Sequence, residues 1–419
     1  MNSLHRYALL PRCVPALLAL SGLLATTISS PVAAQGAPPP ASPAAPKPDE
    51  PVAQVTAAPG KGIRVATRDG SFAFGVRGRV QMRDTFTHTA KADTNEINIK
   101  TMRLVLAGQV LVPELKYLVQ LAFGSNDFEK DNASPLFDAY VEYTGWRDLN
   151  VRVGQFFVPF DRARTIREFA LHLVDRPQVV QELTLDRDVG IMLSSSDLFG
   201  RRVLGYNLFV SGGEGRNRFG GQAQGPLGVL RLTLRPFGPF DDELEGDLER
   251  LPRPRLAIGV AGAYNYQTNR EKSTYGKTLT LGTLDYTHGA ADLVFKYRGF
   301  SLLTEAVVRR ARQARLDGEV DGKAVREWSR SGWGYLVQAG MMVSRRVEIA
   351  ARWDQLVALA GTDPALVQQT ADQGKQIAGG VNVYLNGHAF KIQTDYTYAF
   401  GSNREAAKHV GRLQVDATF

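Results

Sequence analysis

From residue 62 to Phe419 the chain alternates apolar and polar positions with a period of two, as strands do when their two faces meet different surroundings. In the first segment Phe72, Phe74, Val76, Val80, Met82 and Phe86 share one parity, while Arg77, Arg79, Gln81, Arg83 and Thr85 share the other. The split recurs at 115–123, with Leu115, Tyr117, Val119, Leu121 and Phe123 against Lys116 and Gln120. It recurs at 137–143, with Phe137, Ala139, Val141 and Tyr143 against Asp138, Tyr140 and Glu142, and again with Leu230, Leu232 and Leu234 against Arg231, Thr233 and Arg235. Near the end Ile392, Tyr396 and Tyr398 oppose Lys391, Gln393, Asp395 and Thr397, and Leu413, Val415, Ala417 and Phe419 oppose Arg412, Gln414, Asp416 and Thr418. Turn-forming clusters such as Gly124-Ser125-Asn126-Asp127 and Gly212-Gly213-Glu214-Gly215 separate the segments. The pattern predicts an all-β chain. Residues 159–188 break the alternation with mixed polarity and two prolines, which predicts a long loop with a helical turn; loops of that length are usually functional.

Alternation alone fits either a soluble β-sandwich or a transmembrane antiparallel β-barrel. Three features favour the barrel. Segments run nearer ten residues than the ~5–6 of globular strands, matching the ~9–11 that cross a bilayer at a tilt. Aromatic residues gather near segment ends, at Tyr143 with Trp146, Phe156 with Phe157, and Tyr396 with Tyr398, where an interfacial girdle would lie. The last strand closes on the aromatic Phe419. At about 22 residues per strand and connection, residues 62–419 hold roughly 16 strands, with 14 or 18 also fitting.

The N-terminal segment changes the setting. Arg6 and Arg12 precede a short apolar run, and Val32-Ala33-Ala34 offers small residues before Gln35, so residues 1–34 read as a secretory signal peptide. Cleavage there would remove Cys13, the only cysteine, leaving neither disulfide nor thiol chemistry. Residues 35–61 are rich in Pro and Ala and read as an extended periplasmic spacer. The 50 basic residues, 37 of them Arg, outnumber the 42 acids and give a net charge of +8.

Several motifs then resemble one known family. The run Arg152-Val153-Gly154-Gln155-Phe156-Phe157-Val158-Pro159-Phe160, then Asp175-Arg176-Pro177 and Arg187-Asp188-Val189-Gly190, resembles the phosphate-selective porin O and P family. Val383 to His388 followed by Lys391 to Tyr398 is similar to its penultimate hairpin, and Arg412 to Phe419 to its closing strand. With Leu136 to Tyr143 and Phe295 to Leu302, the resemblance spans nearly all of residues 70–419. It implies a homotrimer of sixteen-stranded barrels in the bacterial outer membrane, each with an inward constriction loop and inward arginines that pass phosphate or other small anions by diffusion. Arg79 and Arg103 stand where the family carries Arg in its first two strands, and Asp138 lies in its Asp-Ala-Tyr motif. At Lys100-Thr101, where the family often has paired arginines, this chain departs from it.

An anion-selecting pore needs fixed positive charge in a narrow passage, and the planar guanidinium suits oxyanions. By parity Arg77, Arg79, Arg83, Arg103, Arg231 and Arg235 point into the lumen, and Arg162, Arg164, Arg167 and Arg176 would sit on the inward loop. Glu142, Glu168, Asp175, Glu182 and Glu348 are the acids that could oppose them across the pore, as in a general porin of weak or no anion selectivity. No cofactor is expected, since His88, His172, His288, His388 and His409 lack metal-ligand spacing. Ser194-Ser195-Ser196 near Asp197 reads as a polar strand end, so an enzyme is not expected. Nucleic acid is not expected either, because the arginines alternate with apolar residues and form no stacking patch. A secreted soluble β-sandwich that binds a ligand is the alternative of a different class.

Overall fold

A computed structural model describes residues 53–124, 127–128, 134–218 and 225–419; the expected signal peptide and most of the expected spacer lie outside them. The strands are β1 (Ala53–Ala58), β2 (Gly62–Thr67), β3 (Phe72–Thr89), β4 (Asp93–Val110), β5 (Val112–Ala122), β6 (Leu136–Trp146), β7 (Leu149–Phe157), β8 (Arg187–Ser195), β9 (Leu204–Ser211) and β10 (Leu227–Leu234). They continue with β11 (Arg255–Thr268), β12 (Leu284–Tyr297), β13 (Phe300–Ala311), β14 (Arg315–Val320), β15 (Lys323–Trp328), β16 (Gly332–Met342), β17 (Val347–Ala358), β18 (Lys375–Asn386), β19 (Phe390–Phe400) and β20 (Lys408–Thr418). Every pairing between these strands is antiparallel between chain neighbours, except that β13 skips the separate β14–β15 hairpin to reach β16, and β20 pairs β3. That last pairing, Thr418 opposite Arg79 through Lys408 opposite Thr89, closes the sheet. Among the described residues sixteen strands therefore form a closed barrel. Ala53–Ala58, expected within the spacer, is instead a strand: β1 and β2 form a hairpin that continues the sheet along β3 below the end of β20.

Closure removes the unpaired edges that an open sheet would present. Several connections at one end are tight; Arg298 (φ 50°) and Gly299 (φ 90°) make a two-residue turn between β12 and β13, with the positive φ at both positions that a type I′ hairpin requires. The outward parity is apolar as read from the sequence. Met82, Phe86, Leu230, Leu232, Leu234, Tyr396 and Leu413 are all more than 40% exposed, joined by Ile97, Ile99, Ile191 and Val210. So continuous a belt of exposed apolar residues is foreign to a water-soluble surface. Trp146, at the end of β6, is exposed and packs edge-on against Tyr143 at 4.9 Å, as a girdle pair should. Phe156 and Phe157 are not girdle residues. Phe156 is buried against Phe209, and Phe157 lines internal cavities.

The reason lies in the loop between β7 and β8. Residues 158–186 turn into the barrel and carry the short helices α1 (Arg162–Thr165) and α2 (Gln178–Leu183). The loop has an apolar side and a polar side. Val158, Phe160, Val179, Leu183 and Leu185 are fully buried against inward residues of the wall that are themselves apolar, among them Met192, Phe209, Leu227, Val229, Val307 and Leu356. Ala163, Ile166, Leu171 and Val180 pack in the same way on Ala257, Val294, Leu303 and Leu336. Burying each large apolar side chain contributes about 1.5–3 kcal/mol, so this half of the lumen is a core. Glycines make room for it. On the inward face of β16 a Cβ at Gly340 would stand 2.3 Å from the His172 ring, and one at Gly334 2.7 Å from Val179.

Polar hooks hold the loop's other side. Buried backbone groups need partners, and the wall supplies them. Lys391 Nζ donates to the carbonyls of Phe169 (2.8 Å) and Leu171 (3.0 Å), Asn382 to His172 O (2.8 Å) and Arg83 to Val174 O (2.9 Å). Glu305 accepts from the amides of Arg162 and Ala163, at 2.7 and 3.0 Å. The connection from β10 to β11 also folds inward; its Asp242, Glu245 and Asp247 are buried, and Glu245 accepts from the His172 amide.

Candidate functional site

With one half of the lumen filled, a run of open spaces follows the wall formed by β3, β4 and β20. Three cavities of about 220, 200 and 200 Å³ succeed one another there. The first, lined by Lys408, Arg352, Arg412 and Asp175, meets the second at Asp175, Arg176 and Gln181. The second, with Arg83, Lys100 and Arg216, meets the third at Phe137, Arg164, Glu168 and Arg176. The third holds Arg77, Arg79, Arg103, Arg164, Arg167, Arg176 and Arg187 with Glu168 as its one acid, and reaches Gly60, Ala389 and Thr418 at the barrel end where the chain terminates. Arg176 lines all three.

Most of these charges have partners. Arg79 grips Asp416 with two nitrogens, at 2.9 and 2.5 Å, and lies over the Phe169 ring. Arg83 reaches Asp175 at 3.1 Å, and Arg412 takes the other oxygen of that carboxylate at 3.0 Å. Arg103 pairs with Asp127 and stands 3.6 Å from Glu168. Arg164 pairs with Asp186 at 2.8 Å, and Asp138 accepts from Arg187 at 2.8 Å. Arg176 gives its guanidinium to the carbonyls of Ala163 and Ile166, neutral acceptors, and meets carboxylates such as Glu168 only through space. Arg77 and Arg167 differ from all of these: among the described residues neither side chain has a hydrogen bond or ion pair, and both face the third cavity.

The electrostatics of the loop follow. Burial alone would raise the Glu168 carboxyl, but Arg103, Arg176 and Arg79 outweigh it and hold the group at about 2. Asp175 is likewise held below the usual carboxylate range, burial being outweighed by Arg83 and Arg412. His388, between β18 and β19, goes the other way. Burial, with Lys391 nearby, pushes its imidazole down to about 4, so at neutral pH it is an uncharged donor from Nδ1 to Phe169 O (3.1 Å).

Not every arginine read as pore-lining contributes open charge. Arg162 is buried between Asp292 and Asp242, at 2.5 and 2.8 Å. Arg231 bonds Asp292 and the Phe160 carbonyl, and Arg235 bonds Asp242. Arg231 and Arg235 point inward as their parity requires and Arg162 sits on the inward loop as expected, but the three staple the loop and the β10–β11 connection to the wall. Of the acids, Glu168 and Asp175 do oppose the basic wall. Glu182 is consumed by Arg309, Arg330 and Lys272, Glu142 by Arg152, and Glu348 by His172. Phe137, read as outward, turns inward where the β5–β6 register slips between Gln120 and Leu121. Its ring then underlies the guanidinium groups of Arg187 at 3.6 Å and Arg103 at 4.0 Å. Arg187, Arg216, Arg352 and Arg412 were missed as pore residues, although Arg412 shows the correct parity in its strand.

Residues 74–227 match the sequence model of the family described as phosphate-selective porin O and P. The chain is an outer-membrane porin. The match bears out the resemblance in the motifs from Leu136 to Gly190, over a narrower stretch than the motifs themselves span; those near the C-terminus lie beyond it. No curated protein matches the porin. Solved structures share its fold at low identity. DcaP, an outer membrane channel of Acinetobacter baumannii, is 12% identical with a TM-score of 0.53, over 84% of this chain and 99% of that one. The anion-selective porin from Comamonas acidovorans is 11% identical with a TM-score of 0.53, over 83% and 100%. Salmonella typhi OmpF, in a complex with daunomycin, is 12% identical with a TM-score of 0.54, over 83% and 98%. The porin's place is the bacterial outer membrane.

Proposed function

We propose that the porin passes inorganic phosphate or other small anions by passive diffusion along the β3–β4–β20 wall. The reading also takes residues 1–34 as a cleaved export signal, a spacer that now ends before Ala53, an apolar belt in contact with lipid, and a homotrimer as the family resemblance implies. One observation carries anion preference: Arg77 and Arg167 share a cavity with no acid partner among the described residues, so a passing anion meets open positive charge. A strongly hydrated oxyanion must shed water to enter, and guanidinium forks replace that hydration. Arg176, bonded only to carbonyls, adds a third positive charge on the loop.

A second reading, a general porin of weak anion preference, draws on the other pairs. Arg79, Arg83, Arg103, Arg164 and Arg187 each face a carboxylate. At the departure from the family's paired arginines, Thr101 donates to Glu168 at 3.1 Å, where a second arginine would have added charge. Titrating inorganic phosphate into a bilayer experiment separates the two. Block of the chloride current at low phosphate concentration is expected if the open arginines form a site. A chloride current that phosphate leaves unchanged would leave only the general porin.

A further inference from the structure

Beside the passage, on the side of β7 to β10, lies a fourth cavity of about 370 Å³, which adjoins the third through Phe157 and Arg167. Strand register builds its wall. Asn150 on β7 lies opposite Ser194 on β8, Ser194 opposite Asn207 on β9, and Asn207 opposite Arg231 on β10. Opposed residues on adjacent strands stand about 5 Å apart, so the three uncharged side chains form a lateral row of hydrogen-bonding groups. Thr233, buried one inward step along β10, adds a hydroxyl. Among the described residues none of these four side chains has a hydrogen-bond partner, although Ser194 is only 8% exposed and Thr233 6%. Buried polar groups are ordinarily satisfied; here the capacity is open to whatever fills the cavity.

The charges of this cavity are nearly all cancelled. Arg162 and Arg235 bind Asp242, Arg231 binds Asp292, and Arg152 binds Glu142. What remains is Arg167 and the exposed Glu243. We propose that the cavity binds a small polyhydroxylated organic anion, a sugar acid or sugar phosphate, with its anionic group on Arg167 and its hydroxyls on Asn150, Ser194, Asn207 and Thr233. Amide and hydroxyl side chains both donate and accept, as vicinal hydroxyls do, and hydroxyls at the far end can donate to Glu243. Binding here rests on the anion-channel reading, since the solute enters by the same lumen and is held by one of its open arginines.

The test uses gluconate as the probe, the reconstituted full-length porin, and chloride current as the readout. Gluconate is expected to depress the current at a concentration about tenfold below that needed for hexanoate, a six-carbon monoanion without hydroxyls. The double variant Ser194→Ala/Asn207→Ala is expected to erase that difference while chloride conductance and chloride preference stay at the wild-type level; Asn150→Ala serves if the double variant fails to form a heat-modifiable barrel. Equal block by gluconate and hexanoate, or a gluconate block untouched by these variants, overturns the site while chloride preference stands. A wild-type pore that prefers potassium overturns the anion-channel reading itself.

Discussion

Replacing Arg77 and Arg167 together by glutamine is expected to lower the chloride-to-potassium permeability ratio roughly fiftyfold, read as a shift in zero-current potential under a salt gradient. At an effective dielectric near 20, a unit charge ~10 Å from a passing ion is worth about 1.7 kcal/mol. Screening over a Debye length of ~10 Å in ~0.1 M salt reduces this to roughly 0.6 kcal/mol, so two charges attract chloride by about 1.2 kcal/mol and repel potassium by as much, a difference of about 2.4 kcal/mol, or roughly fiftyfold in the ratio. The sizes of the two side chains change little, so conductance should fall far less than selectivity. Arg235→Gln is the control: Arg235 lines the fourth cavity and not the passage, and its partner Asp242, at 3.0 Å, keeps Arg162 as a counter-charge when Arg235 is neutralised. The ratio should then change by no more than about twofold. Equal effects at both sites would mean that pairing does not decide which arginines select.

The second large effect is expected from Gly340→Leu. The inward face of β16 has no room at this position, because a Cβ would lie 2.3 Å from the His172 ring and 2.9 Å from Glu348. His172 is anchored on both sides, its ring nitrogen 3.1 Å from Glu348 and its carbonyl accepting from Asn382 at 2.8 Å. A leucine must therefore push the loop off the wall, an overpacking that costs about 1–3 kcal/mol. Once the loop's polar hooks are displaced, the basic wall faces a wider lumen. Single-channel conductance should rise, chloride preference should fall, and the folded band should convert to the unfolded form at a lower temperature in heated gel samples. Unchanged conductance would show that residues 158–186 do not bound the passage.

The fold was legible because a barrel wall is a local pattern. Period-two alternation in β3, β10, β19 and β20 assigned the two faces correctly, and Arg79, Arg103, Arg231 and Lys391 all point where their parity puts them. The failures have physical causes that parity cannot carry. A single register slip between β5 and β6 reversed Phe137. Phe156 and Phe157 look like girdle residues in sequence, yet they precede an inward loop whose apolar side needs an apolar wall. Which arginines are open was the least legible property. Arg162 and Arg167 are five residues apart on the same loop, and what separates them is Asp292, an acid delivered from β12, and Asp242, delivered from the β10–β11 connection. Charge cancellation is a long-range contact, so the open pair emerged only once the strands were placed side by side.

That pair makes one measurement decisive. The zero-current potential of the wild-type porin in a planar bilayer, under a KCl gradient of about tenfold, reads directly which ion the passage prefers. A potential displaced toward the chloride equilibrium value is the result predicted from Arg77 and Arg167; displacement toward the potassium value would contradict the account.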